Sequence, residues 1–288
     1  MSKRNALLVV HPTRAEALSA AAEFATALSK KSFTVFANQT IPQTTSFNNE
    51  KVEVVVVLGG DGTILRGAVV ARRLGVPLLG INLGRVGFMA EVEKSTFEEI
   101  AKAIVDKTYV IEPRLILEYE IERNGEKAAS GWALNEIVVE RSETSMLELF
   151  VQIDNRPLSR WGCDAVICAT PTGSTAYAFS AGGPVVWPEV DAMIVLPLAA
   201  HALFSDPMVV SPNSTVVIDI ESEKAEISAD GIRKVKLLEG DRVVVTKDPW
   251  KVNLAHIDDS VFTDRLVAQS QPVEHTWPEV INQHIVKR

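Results

Sequence analysis

The chain has 288 residues, 47% of them hydrophobic, 23% charged and 6% aromatic, which provides ample apolar material for a core and a length suited to about two domains. Its 29 lysines and arginines against 37 aspartates and glutamates leave a net charge of −8, which argues against binding nucleic acid by general attraction to phosphates. No apolar stretch reaches the length of a membrane span, and nothing in the composition points to disorder or collagen.

The charge is unevenly spread: residues 1–112 carry a net +2 and residues 113–288 a net −10. That asymmetry suggests two regions with different tasks. Cys163 and Cys168 form no C-x-x-C pair, and two lone thiols fit a reducing cytoplasm, where they read as small buried hydrophobes. Met1–Asn5 followed by the short apolar run Ala6–Val10 and then Pro12 reads as a first strand rather than a signal segment.

In chain order, Ala6–His11 suits a buried parallel strand, and Ala15–Ser29 has apolar residues at helical spacing. Phe33–Ala37 reads as a second strand, and the polar stretch Asn38–Lys51 as a loop. Val52–Leu58 is the clearest strand, followed by a glycine turn and a helix over Thr63–Leu74. Val76–Ile81 is another buried strand, and Ser95-Thr96-Phe97-Glu98 opens a helix with a capping-box pattern. Repeated βα units predict an open, doubly wound sheet, a Rossmann-like α/β domain over residues 1–112.

Beyond Pro113 the pattern changes. Leu115–Arg123 alternates and Asn124-Gly125 marks a tight hairpin. Strand-like runs follow at Ala133–Glu140, Leu147–Ile153, Ala165–Cys168, Thr215–Ile220 and Arg242–Thr246. Residues 113–255 therefore read as a mainly β domain, and the tail 256–288 is expected to pack back on the N-terminal domain.

The sharpest local feature is Leu58-Gly59-Gly60-Asp61-Gly62-Thr63, between a buried strand and a helix. Glycines let the backbone approach a ligand, and the helix N-terminus offers free N–H groups to phosphate oxygens. Arg66, one turn on, adds a positive charge. The dinucleotide fingerprint fails here because Leu65 stands where its last glycine belongs, and the P-loop fails because Ala68-Val69 replaces Lys-Ser/Thr. A plain connecting turn capped by Asp61 is the bland alternative. A carboxylate among phosphate-approaching glycines suits two other jobs, holding a metal or accepting a proton from an attacking hydroxyl.

A second segment, Thr170-Pro171-Thr172-Gly173-Ser174-Thr175-Ala176-Tyr177, is followed by Ser180-Ala181-Gly182-Gly183-Pro184. Dense hydroxyls and glycines beside Tyr177 suit ribose and adenine edges. A Ser/Thr-rich turn into a helix near Ser174–Phe179 is the alternative. Asn135-Glu136 interrupts an otherwise apolar strand, as an edge or bulge does, or as a binder of a diol or amide does.

The GGDGT turn, the Asn135-Glu136 pair and the TPTGSTAY segment, in this order, resemble the NAD kinase family, and the surrounding details resemble its actinobacterial branch. The resemblance implies an α/β N-terminal domain joined to an all-β C-terminal domain with the active site between them. It implies a kinase that transfers a phosphoryl group from ATP or polyphosphate to the adenosine-ribose 2′-hydroxyl of NAD, needs Mg²⁺ or another divalent cation, and forms a homodimer or homotetramer. It implies no membrane and no nucleic-acid partner.

Carried over by position, Asp61 matches the catalytic base, and Gly59, Gly60, Gly62, Thr63 and Arg66 the phosphate-binding turn. Phe88, Asn135, Glu136, Asp164, Thr175, Ala176, Tyr177 and Ser180 match residues around the bound NAD. No metal ligand is assigned. One departure stands out: the family often has Arg-Gly-Asp-Gly where this chain has Gly162-Cys163-Asp164-Ala165, so a basic contact there must come from elsewhere. Ala199-Ala200-His201-Ala202 matches a stretch that reaches a neighbouring subunit's site in relatives, although His201 reads as structural. A lipid kinase of the same superfamily, or a non-catalytic NAD(P) sensor, is the alternative function.

Overall fold

The structure, a computed structural model, describes residues 4–38, 51–83, 87–89, 96–143, 145–202, 204–257 and 262–270. The expected loop between the second and third strands and most of the C-terminal tail lie outside these residues. The chain divides into two units, one of Met1–Gly67, Leu78–Val110 and Ala255–Arg288, the other of Ala68–Pro77 and Ile111–Leu254.

In the first unit β1 (Arg4–Val10) leads through α1 (Ala15–Lys30) to β2 (Phe33–Asn38), and β3 (Val52–Leu58) leads into α2 (Asp61–Leu74), of which residues up to Gly67 belong to this unit, before β4 (Leu78–Ile81). The four strands are parallel in the order β2-β1-β3-β4. Each crossover helix buries an apolar stripe, as a parallel sheet with both faces covered requires. On one face α1 and α3 (Phe97–Asp106) pack Phe24, Leu28, Ile100 and Ile104 against Leu8, Val54, Val56 and Leu58. On the other face α2 lies so close that a Cβ on Gly67 would meet the Val57 side chain. The capping box of α3 is Thr96 and Glu99, one residue later than the sequence pattern suggested. The Thr96 hydroxyl accepts from the Glu99 N–H while the Glu99 carboxylate accepts from the Thr96 N–H, so the reciprocal bonds select the frame.

The second unit is built from antiparallel strands: β5 (Val110–Arg123), β6 (Glu126–Ala133), β7 (Glu136–Arg141), β8 (Leu147–Ile153), β9 (Arg156–Cys163) and β10 (Ala165–Ala169). A 3-10 turn (Thr172–Thr175) and α4 (Tyr177–Ser180) follow. After these come β11 (Met193–Leu198), β12 (Met208–Val210), β13 (Val216–Ile220), β14 (Ala225–Ala229), β15 (Arg233–Leu237) and β16 (Arg242–His256). One sheet runs β12-β11-β10-β7-β14-β15. Facing it, β13 pairs with β8 and β16, β8 with β9, and β5 with β6. Alternate residues of both layers, among them Leu117, Val139, Leu149, Trp161, Cys168, Ile218 and Ile227, fill the core. Both cysteines are buried and free.

The hairpin turn falls at Asn124-Gly125, both with positive φ. Strand β16 runs on to His256, well past the Thr246 expected. The strand expected over Ala133–Glu140 begins only at Glu136, as β7, because β6 ends at Ala133 and Leu134-Asn135 lie between the two. The helix α5 (Phe262–Ser270) belongs to the first unit.

Candidate active site

The glycine turn joins β3 to α2 at the C-terminal end of the parallel strands, where open α/β sheets bind ligands. Gly60 ends the turn with its carbonyl accepting from the Thr63 and Ile64 N–H groups at 2.8 and 3.1 Å, which starts the helix. The leading amides of Asp61 and Gly62 have no carbonyl one turn earlier within α2. Thr63 is buried, while Gly62 and Arg66 are exposed. A cavity of about 490 Å³ beside Gly59 and Gly60 is also lined by Arg14, Glu16 and Asn82.

Asp61 does not cap its own helix. Its Oδ2 accepts from the Phe88 N–H at 3.2 Å and its Oδ1 from the Met89 N–H at 3.3 Å. Gly87 permits this approach, because a Cβ there would lie 2.5 Å from Asp61 Oδ1. Burial raises the Asp61 pKa above the ordinary carboxylate range, and the two amide donors pull it part of the way back. The result is an oriented, partly desolvated carboxylate at a helix N-terminus, with lone pairs left for a further donor.

In the second unit the Asn135-Glu136 pair sits where β6 gives way to β7. The Leu134 and Asn135 N–H groups donate to the Asp230 carboxylate at 3.1 and 2.7 Å, which is why no strand pairing continues through them. The Thr170 N–H donates to the Asn135 carbonyl at 2.8 Å and the Thr170 hydroxyl to the Leu134 carbonyl at 2.6 Å. Gly173 lies directly on the Asn135 backbone. The Ser174 hydroxyl donates to the Pro171 carbonyl and accepts from the Val186 N–H, tying the turn to the segment beyond Gly183.

The Tyr177 N–H donates to the Glu136 carboxylate. Burial, with the nearby charge of Asp230, nevertheless pushes the Glu136 pKa up to about 7. Asn135 Oδ1 and Glu136 Oε2 are buried without a hydrogen-bond partner among the described residues. Two orphaned buried acceptors side by side are costly and ask for a ligand that brings donors. Thr175 and Ala176 are half-buried beside them, and Tyr177 and Ser180 are exposed.

The chain matches the ATP-NAD kinase N-terminal domain over residues 35–109 and the ATP-NAD kinase C-terminal domain over residues 134–257. It is 49% identical over 220 residues to "NAD kinase 2" of Streptomyces avermitilis, covering 75% of this chain and 73% of that protein. The chain belongs to the NAD kinase family.

Two solved structures of the family share its fold. The NAD kinase from Archaeoglobus fulgidus in complex with ATP superposes with a TM-score of 0.73 at 28% identity, over 93% of this chain and all of that one. Yeast NADH kinase complexed with NADH gives a TM-score of 0.79 at 23% identity, over 95% and 89% of the two chains. The relative from Streptomyces agrees with the actinobacterial character of the motifs.

Against the family pattern, the missing arginine before Cys163 has a neighbour of the same charge. Arg141 on β7 places its Nε 3.0 Å from Asp164 Oδ1. His201 is exposed and its N–H donates to the Gly162 carbonyl at 2.8 Å, a backbone bridge beside Asp164.

Asp230 is not among the residues that the sequence pattern singles out. It lies in the Asp230-Gly231 turn between β14 and β15, both residues with positive φ, and is almost fully buried. Arg233 bridges it at 2.7 Å and donates to the Trp132 carbonyl, while its guanidinium stacks 4.6 Å from the Trp132 ring. An acidic-glycine turn after an apolar strand was the only local signal, and it reads as an ordinary hairpin.

No cluster of three His, Cys, Asp or Glu side chains suited to a metal exists among the described residues. Among the described residues no helix is long and apolar enough to cross a membrane.

Proposed function

We propose that this chain phosphorylates NAD to NADP with ATP as donor, Asp61 acting as the base on the 2′-hydroxyl of the adenosine ribose. The observation that carries this reading is the Asp61 carboxylate held by the Phe88 and Met89 amides at the N-terminus of α2. Its raised pKa makes it a stronger proton acceptor than a solvated carboxylate.

In the reaction the 2′-oxygen attacks the γ-phosphorus of ATP, the bond from the γ-phosphorus to the β,γ-bridging oxygen breaks, and ADP leaves. The hydroxyl proton passes to Asp61. Because the transition state is loose, orientation and charge neutralisation contribute most, with proton removal second. Gly60 and Gly62 supply backbone amides to the donor phosphates, Gly59 and Thr63, whose amides bond the Ile81 and Gly60 carbonyls, shape the turn, and Arg66 supplies a charge. The cavity beside Gly59 and Gly60 takes the rest of the donor. A divalent cation bound with the donor would neutralise phosphate charge.

NAD is recognised by the orphaned acceptors: Asn135 Oδ1 and Glu136 Oε2 take hydrogen bonds from ribose hydroxyls or the adenine amine. Thr175, Ala176, Tyr177 and Ser180 line the adenosine, Phe88 flanks the dinucleotide, and Asp164 accepts from the nicotinamide amide. A cytoplasmic homodimer or homotetramer belongs to the same reading, and light scattering on the purified protein tests the assembly.

The decisive assay incubates the protein with NAD, Mg²⁺ and either ATP or polyphosphate and measures NADP. NADP with ATP is expected. Its absence with both donors overturns the reading, and turnover with polyphosphate alone overturns the choice of donor.

A further inference from the structure

Helix α5 reaches Asp61 through a single peptide group. Arg265, 6% exposed, donates from Nη1 to the Phe88 carbonyl oxygen at 3.1 Å. That carbonyl and the Met89 N–H are opposite ends of one peptide, and the Met89 N–H donates to Asp61 Oδ1. The order is therefore guanidinium, peptide, carboxylate. A carbonyl that accepts a hydrogen bond polarises its amide and strengthens the bond the amide donates, and a cationic donor does this more than a neutral one.

The same helix holds the preceding side chain, since the Phe262 ring stands 5.9 Å from the Phe88 ring at a tilt of 34°. Withdrawing a guanidinium from water is costly. The buried guanidinium donates to a carbonyl one peptide away from Asp61.

We propose that Arg265 is a positioning residue for Asp61, setting the carboxylate's orientation through the Phe88–Met89 peptide. The inference rests on the reading of Asp61 as base. Arg265 touches no reacting atom, so its removal acts mainly on the chemical step, with any change in NAD binding limited to what the Phe88 contact contributes.

The experiment uses the full chain with Arg265→Met, which keeps the apolar stem and removes the donors, and Arg265→Lys, which restores one. Arg265→Met is expected to lower kcat about 10- to 100-fold while the KM for NAD and the melting temperature stay close to wild type. Arg265→Lys is expected to recover part of the loss. Combined with Asp61→Asn, Arg265→Met is expected to cost nothing more, because the group it positions is already gone.

Wild-type kcat in Arg265→Met overturns the proposal, as does an equal loss in the Asp61→Asn background, or a loss matched by the unfolded fraction. If Arg265→Met does not fold, Arg265→Gln, too short to hold the same contact, carries the same expectations. Near wild-type turnover in Asp61→Asn alone would instead bring down the base assignment, so the two failures are distinguishable.

Discussion

Gly173 and Asn135 meet backbone to backbone: a Cβ on Gly173 would lie 2.1 Å from the Asn135 carbonyl oxygen and 2.5 Å from its carbonyl carbon. Neither atom belongs to a flexible side chain, so nothing gives way except the main chain. The hydroxyl-rich turn is thereby seated on the Asn135-Glu136 segment, and the Thr170 N–H bond to the same carbonyl locks it.

Gly173→Ala is therefore expected to push the turn off that segment. The cost of overpacking is typically about 1–3 kcal/mol, read as a lower denaturation midpoint. The KM for NAD should rise with it. An alanine variant with wild-type midpoint and KM would mean the turn tolerates the displacement.

Asp61→Asn removes the proton acceptor and keeps the shape. Turnover should fall about 10²–10⁴-fold, while NAD binding measured by calorimetry is retained. The sign with pH follows from the raised pKa: wild-type kcat declines as the pH drops, and the acid limb lies above the ordinary carboxylate range. An acid limb near that of a free aspartate would contradict the burial described.

Glu136 has a folded-state pKa of about 7 against an ordinary 4.5, so the folded protein binds its proton more tightly than the unfolded chain. That contribution to stability is complete at low pH and is lost as the pH rises from 4.5 through about 7. Glu136→Gln should accordingly raise the melting temperature at pH 8 and change it little at pH 5. It should weaken NAD binding about tenfold or more, the usual cost of losing a hydrogen bond to a charged group. A variant no more stable at pH 8 than wild type would refute the strained carboxylate.

Asp230→Ala strips the acceptors from the Leu134 and Asn135 N–H groups and leaves Arg233 without its carboxylate. Breaking one side of a buried pair typically costs about 3–5 kcal/mol. Urea unfolding measures it, and Asp230→Asn, which keeps an acceptor oxygen, should lose less. A loss under about 1 kcal/mol in the alanine variant would place Asp230 outside the frame of the NAD segment.

The architecture was readable where a pattern repeats along the chain. Val54, Val56 and Leu58 on one face and a helix stripe after a glycine turn announce a parallel strand and its crossover, because burial on both faces writes itself into consecutive residues. The strand Met208–Val210 has only three residues, too few for a period to show. The one-residue slip in the α3 cap has the same origin, since Ser95 and Thr96 are equally good caps until the reciprocal bonds choose.

By itself the sequence determined which segments carry the family's motifs. The turn around Asp61, the Asn135-Glu136 pair and the segment from Thr170 to Tyr177 are each contiguous, and together with the family they resemble they point to phosphates, an accepted proton and a ribose. Only the tertiary structure decided how those groups are held. Asp61 is oriented by amides 27 and 28 residues away, Asn135 by a carboxylate 95 residues away, and the Phe88 carbonyl by a guanidinium 177 residues away. Hydrogen bonds between distant segments leave no period and no spacing in the chain, because backbone amides look the same at every position until folding brings a particular carboxylate to them.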